Sequence, residues 1–453
     1  MQGSEIRDFT KGNISRQLII FSLPLFLSNV LQIVYNMVDM IVVGQVLGKV
    51  GVSAVAVGGD VSHLLTFVAI GFANAGQVLV AKLIGAGRKE RLGRFVGTMS
   101  TFLLGSAILL TILGLLLQRP ILGWMQTPSE AYDGARWYSL VSILGLVFIY
   151  GYNLVSAILR GMGDSKHPFI FISIAALVNV VLDVVFVVFL GMGAAGAALA
   201  TVVSQAISFL SCTVFIVRRR ERFSLDVSLR DFLLPDREML GELLKLGIPM
   251  AIKTASIQVS KLFVNAWINS YGLAESAFSG IANKIANVSN LVSTAINTAG
   301  STMVGQNIAA RQYDRVKRIL YSIAVITLSI GVLLSLVICL FPDAVFGMFT
   351  DDASVLEIGR TFLPIAVLLF FGSALRAVMN ALMNGSGDYK INFATAILDG
   401  IVLRIGLALL FGLALQMKHY GFWLGDALAG FTPFWIGIVF YFSGRWKREP
   451  NKR

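Results

Sequence analysis

Residues 159–166 read LRGMGDSK, and residues 383–390 read MNGSGDYK. Gly161, Gly163, Asp164 and Lys166 of the first copy meet Gly385, Gly387, Asp388 and Lys390 of the second at an offset of 224. Each copy follows one long apolar run and precedes another. Each therefore reads as a turn that ends one helix and opens the next. Glycine accepts the left-handed backbone of a helix end. The aspartate can cap the following helix, and the lysine marks the cytoplasmic side of a membrane. Further pairs occur in the same order. LIIFSLP, ending at Pro24, returns as LLKLGIP, ending at Pro249. Gly76, Arg91 and Arg94 match Gly300, Arg315 and Arg318, and Gly196 is aligned with Gly425 at a slightly larger offset. The chain is a duplication.

Composition sets the solvent. Of 453 residues, 56% are hydrophobic and 14% charged, and the mean hydropathy is +0.78. A soluble domain carries roughly a quarter charged residues, and its surface must be covered with polar groups. This chain lacks the means, so its solvent is lipid. Only helices and closed barrels satisfy the backbone there. The apolar runs are of membrane-helix length, about 20 residues, and lack strict alternation, which predicts helices. Twelve spans are predicted near 17–43, 53–81, 95–117, 135–159, 168–190, 194–217, 241–269, 275–305, 319–341, 355–384, 391–415 and 422–444. The fold class is an all-α integral membrane protein of two six-helix bundles, residues 1–217 and 241–453, joined by a cytoplasmic linker at 218–240. Six spans per half give both halves one direction across the membrane. A pseudo-two-fold axis along the membrane normal and a central cleft are then expected.

The net charge of +12 does not point to nucleic acid, because the bases lie in short segments between apolar runs. One side of the predicted topology holds 27 Lys and Arg, and the other holds four: Lys49, Arg119, Arg136 and Lys418. By the positive-inside rule both termini are cytoplasmic. The cluster at 218–222 (RRRER) reads as a topology anchor, with lipid-headgroup binding as the alternative. Cys212 and Cys339 stand alone and suggest neither metal nor disulfide. Residues 1–17 are polar and do not read as a secretory signal. No HExxH, nucleophile elbow or phosphate loop occurs, and His63, His167 and His419 are scattered, so an enzyme is not expected.

Ionisable residues inside spans are expensive and mark function by default. Span one carries Asp39, with Tyr35 one turn earlier. Span five carries Asn179 and Asp183, four apart and so on one helical face. Thr201 in span six and Asn153 in span four are candidates to join them. Two carboxylates in a dry pocket repel, and such a pair takes up a proton or holds Na⁺, a hard cation suited to oxygen ligands. The alternative is hydrogen bonding between packed helices. Asp60 reads as wet and structural. The second half differs in sign: Lys253, Lys261, Lys284 and Arg376 lie in spans seven, eight and ten, and Asp399 and Arg404 in span eleven, with Asp426 in span twelve. Lys261 and Arg376 fall deepest by count. They are candidates to face the substrate path or to form structural pairs. Lys253 and Arg404 are read as lying near a membrane face, with an Asp399–Arg404 salt bridge as the other reading.

With its twelve spans, duplicated GxGD turns, Pro24 and Pro249, and GQVLVAKLIGAGR at 76–88 answered by GSTMVGQNIAAR at 300–311, the chain resembles the multidrug and toxic compound extrusion (MATE) family. Its first half is similar to the DinF-like, MepA-like bacterial branch. The resemblance covers nearly the whole chain. It implies a monomeric multi-pass protein of the bacterial plasma membrane that exports drugs or other small organic compounds by alternating access. Inward H⁺ or Na⁺ flow drives the export, and no cofactor is implied. It also maps a cation site onto Asp39, Asn179, Asp183 and Thr201, with Tyr35 and Asn153 nearby. The NorM-like branch uses second-half acids instead. Its span-seven glutamate falls on Gln258 here, and the interior of span ten carries no acid. Lys261 and Arg376 leave room for an anionic or zwitterionic cargo. A flippase for a lipid-linked or anionic precursor is the competing reading.

Overall fold

The structure is a computed structural model that describes residues 6–125 and 127–447. The tail bases Arg448, Lys452 and Arg453 lie outside these residues. Among the described residues there are helices and no strands. In the first half these are α1 (Ile14–Gly85), α2 (Leu92–Trp124), α3 (Ser129–Leu144), α4 (Leu146–Gly161), α5 (Lys166–Asp183), α6 (Gly193–Arg218) and the short α7 (Leu229–Leu233). The second half holds α8 (Arg237–Asn269), α9 (Leu273–Ala309), α10 (Tyr313–Leu340), the short α11 (Pro342–Gly347), α12 (Ala353–Ser386), α13 (Tyr389–Ile397), α14 (Leu403–Leu409), α15 (Lys418–Ala429) and α16 (Thr432–Phe442). α1 is two spans joined at Gly48, whose φ of 61° and ψ of −156° break the helix. α3 and α4 form one span bent by 48°. α8 and α9 are 33 and 37 residues long but more polar than most of the other helices. With them the chain has twelve transmembrane helices, six to a half. Their outer faces are apolar and bare: Leu116 is 70% exposed and Val439 71%. Lipid, not water, suits such faces.

The duplication is visible atom by atom. Gly163 and Gly387 have φ of 87° and 70°. Asp164 Oδ1 accepts from the backbone N–H of Lys166 and His167, both at 3.1 Å, and Asp388 Oδ1 accepts from Lys390 and Ile391 at 2.9 and 3.2 Å. A Cβ on Gly161 would stand 2.7 Å from the Gln77 carbonyl oxygen, and one on Gly385 would stand 2.8 Å from that of Ser301. Close helix contact thus demands glycine at the same place twice. Past each span-five equivalent the helix widens into a π-turn, Val184–Phe189 and Leu410–Ala414. There the Leu190 N–H donates to Val185 O and Met192 to Phe186 O, and the same bonds recur 225 positions later as Leu415 to Leu410 and Met417 to Phe411. Gly196 packs on the Phe186 backbone, and Gly421 on that of Phe411. The partner of Gly196 is therefore Gly421, which corrects the Gly425 alignment.

The chain divides into two compact units. One contains Leu23–Gly247 with residues 6–8, the other residues 248–447 with Phe9–Ser22. The first helix of each half thus begins in one unit and continues in the other. The changeovers fall beside Pro24 and Pro249. In the first unit the 218–240 segment lies along α2: the Asp236 N–H donates to Thr98 Oγ1 at 3.0 Å, and Arg94 pairs with Asp236 at 3.0 Å. Ser228 caps α7 reciprocally with Asp231, and its backbone N–H and hydroxyl hold the Asp231 carboxyl below the usual carboxylate range. In the second unit the N-terminal arm is fixed by Phe9, whose N–H donates to Gln306 Oε1 at 2.9 Å and whose carbonyl accepts from Arg315 Nε at 2.9 Å. The core of that unit centres on Phe278, with ring centroids 5.5 Å from Phe346, 5.2 Å from Phe362 and 5.4 Å from Trp423.

Candidate functional site

In the first unit, α1 and α5 bring two acids into one dry region. Asp39 is 6% exposed, Asn179 2% and Asp183 0%. The two carboxylates lie within each other's electric field. Asn179 Nδ2 reaches Thr201 Oγ1 on α6 at 3.5 Å. Tyr35, Asn179, Thr201 and Gln205 line one small cavity. Asp39 Oδ1, Asn179 Oδ1 and both carboxylate oxygens of Asp183 are buried without any hydrogen-bond partner. A buried acceptor with no donor costs free energy on the order of 1–3 kcal/mol, more when charged. Four of them in one region form a set that protons or a small cation would satisfy. Protonation supplies a donor, and Na⁺ takes such oxygens directly.

Two members of this region have no strong mark in the sequence. Tyr138 on α3 is 8% exposed and lies in the field of both Asp39 and Asp183. Gln205 lies one turn past Thr201, beside Tyr35. Both join through the packing of α3 and α6, and an intramembrane polar residue next to Thr201 was the one available signal. Asn153 is not brought in by any bond: its Nδ2 donates to Ile149 O on its own helix at 2.8 Å. Asp60 is exposed.

The second unit uses its charges differently. Arg404 is 1% exposed, and its Nη2 donates to Asp399 Oδ1 at 3.0 Å while its Nη1 pairs with Asp426 Oδ1. Arg404 is therefore a buried salt-bridge residue, as the ion-pair reading of Asp399 and Arg404 has it. Asp399 stands in a second π-turn, Leu398–Val402. Lys253 is also internal, donating to Asn380 Oδ1 at 2.7 Å. Lys261, Arg376, Arg404 and Asp426 line one cavity. Gln258 is exposed and does not line it.

The duplicated six-helix units, the bare apolar faces and the charged groups buried within each unit define a membrane transporter rather than an enzyme. The MatE family pattern matches residues 24–185 and again 249–410, and the chain belongs to this family. The two matched stretches are offset by 225 residues at both ends. The chain is 29% identical over 450 residues to the probable multidrug resistance protein YoeA of Bacillus subtilis, covering 98% of this chain and 96% of that one. It is 21% identical over 410 residues to the multidrug export protein MepA of Staphylococcus aureus, with 89% and 88% covered. Among solved structures, a MATE transporter in its bent conformation superimposes with a TM-score of 0.88 at 25% identity, covering 98% of this chain and 97% of that one. A MOP-superfamily transporter from Pyrococcus furiosus, described as having a binding pocket of reverse polarity, gives 0.88 at 24% identity, with 99% and 100% covered.

Proposed function

We propose that the protein is a cation-coupled antiporter that exports small organic compounds through alternating access, with Asp39 and Asp183 as the coupling pair. One observation carries this reading: four buried acceptor oxygens on Asp39, Asn179 and Asp183 have no donor. Uptake of H⁺, or of Na⁺ with Thr201 as a further oxygen, removes the repulsion between the two carboxylates and satisfies those acceptors. Loss of the cation restores both costs. A state of α1 that separates the acids is then favoured when they are charged, and a state that joins them when they are neutralised. Coupling requires that cargo and cation prefer different states. Pro24, which lacks a backbone N–H inside α1, removes one helix hydrogen bond and so leaves a point at which α1 can bend.

The reading extends to surroundings and cargo. The 27-to-4 distribution of Lys and Arg supports cytoplasmic termini, and the bacterial relatives support the plasma membrane as the site of action. The names of those relatives support organic drugs among the cargo. A single chain contains both repeats, which supports a monomer as the working unit.

The test is transport by purified protein in proteoliposomes under separately imposed H⁺ and Na⁺ gradients. Efflux driven by one gradient and lost in Asp39→Asn and Asp183→Asn is expected. Gradient-driven efflux at the wild-type rate in both variants would remove the coupling assignment.

A further inference from the structure

The second-unit cavity carries more positive charge than its own acids neutralise. Its walls hold three bases, Lys261, Arg376 and Arg404, and one acid, Asp426. Arg404 occupies both acids within reach, Asp426 and Asp399 behind it. Arg376 Nε then has only the Gly430 carbonyl, at 3.3 Å. Lys261 has no hydrogen-bond or ion-pair partner among the described residues. Two more donors on the lining residues, Trp423 Nε1 and Arg404 Nε, are buried without partners. Asp426 and Asp399 are then shared among three bases, and holding an ammonium and a guanidinium inside spans without a full counter-charge is costly. A site that keeps them can offset that cost with an anion from outside.

The rest of the wall mixes polar Asn283, Asn290 and Ser373 with apolar and aromatic residues, including Phe362, Leu369 and Trp423. We propose that this cavity binds a small aromatic organic anion, its acidic group held between Lys261 and Arg376 and its ring against Phe362 and Trp423. This names the class of cargo and rests on the transporter reading for its role in export. A cationic drug meets repulsion here, and a simple inorganic anion leaves the aromatic wall unused. Arg376 can accept an acidic group with two parallel N–H bonds, whereas Lys261 offers a point charge.

The binding experiment uses purified full-length protein in detergent with no gradient, so it is independent of the coupling assigned to Asp39 and Asp183. Isothermal titration compares 2-naphthoate, the matching 2-naphthylmethylammonium, inorganic phosphate and mixed micelles containing phosphatidate. Naphthoate is expected to bind, with the amine and phosphate at least about tenfold weaker. K261Q and R376Q should each lose at least about tenfold, the scale set by one charge-assisted hydrogen bond. K261R, which keeps the charge, should bind within a few-fold of wild type. The naphthoate–amine comparison is made on the unmodified protein and stands even where a variant fails to fold. Equal affinity for the amine, or no binding of naphthoate, overturns the proposal. Phosphate binding as tightly as naphthoate overturns the role given to the aromatic wall. Phosphatidate binding in place of naphthoate reassigns the site to a lipid phosphate and overturns the small-molecule class.

Discussion

Replacing Arg404 with methionine should destabilise the second unit by about 3–5 kcal/mol, the range for removing one partner of a buried ion pair. The reasoning is local. Arg404 is 1% exposed and its two acids have side-chain exposures of 0% and 21%. Methionine fills a similar volume, so little of the loss is packing. Most of it comes from Asp399, which is left wholly buried and already has Oδ2 without a partner. Asp426 contributes less, because its carboxylate retains access to the cavity. Asp399→Asn should cost less, about 1–3 kcal/mol, since the amide oxygen still accepts from Nη2 and Asp426 still balances the guanidinium. The triple variant R404M/D399N/D426N removes the three charges of this ion-pair set and should recover part of the R404M loss, because Lys261 and Arg376 then lose the same acids. Unfolding of purified protein with a denaturing detergent, followed by helical circular dichroism, gives the ordering. An R404M within about 1 kcal/mol of wild type, or a triple variant less stable than R404M, would refute the account.

Three further outcomes follow from geometry. Gly161→Ala and Gly385→Ala should each destabilise by about 1–3 kcal/mol or fail to fold, because each new methyl meets a neighbouring carbonyl oxygen under 3 Å away; equal tolerance of both in the same unfolding assay would contradict the contact. Asp39→Asn and Asp183→Asn should unfold at or above the wild-type denaturant midpoint, since three of the four oxygens concerned bind nothing in the fold and a neutral amide relieves repulsion. A large fall in either midpoint would mean that these acids hold the helices together. Pro24→Ala and Pro249→Ala should slow gradient-driven transport several-fold while leaving 2-naphthoate affinity unchanged, because each proline lies where its helix passes from one unit into the other; full transport rates in both would leave the prolines as static kinks.

Much of this was legible in the sequence because it is local or repeated. The GxGD turns, the paired prolines and the apolar runs are each confined to a few residues or to one helix, and their physics is that of a chain in lipid. Asn179 and Asp183 share a face by helical spacing alone. Tyr138 and Gln205 were not legible, because their place near the acids depends on how α3 and α6 pack against α1 and α5. The Arg404–Asp426 pair bridges 22 residues and requires α14 to lie on α15. Asn153 was suggested as a polar residue within span four, but its amide donates to its own backbone, an option that a polar residue in lipid takes readily. The Gly196 alignment failed in a stretch of small residues, GAAGAALA at 193–200, where several registers fit equally well and only the backbone contact selects one.

That register has a consequence for the asymmetry between the halves. At an offset of 225, which the π-turn hydrogen bonds fix and the matched family stretches share, Asn179 falls on Arg404 and Thr201 on Asp426. The same two positions touch in both units: as an amide and a hydroxyl at 3.5 Å in the first, and as a guanidinium and a carboxylate in the second. Asp183 falls on Ala408 and Asp39 on Val264. The scaffold therefore presents one pair of helix positions twice and fills it with opposite chemistry. In the first unit the neutral pair donates no charge to the acids beside it, and their oxygens stay open. In the second an arginine at the position of Asn179 pairs with both local acids, while Lys261 and Arg376 remain as bases without a direct ion pair. An arginine at position 179 should therefore close the first-unit site by pairing with Asp183 across one helical turn. Asn179→Arg is expected to abolish gradient-driven transport yet retain 2-naphthoate binding. Gradient-driven transport that survives this substitution would show that the open oxygens do not serve as the coupling group.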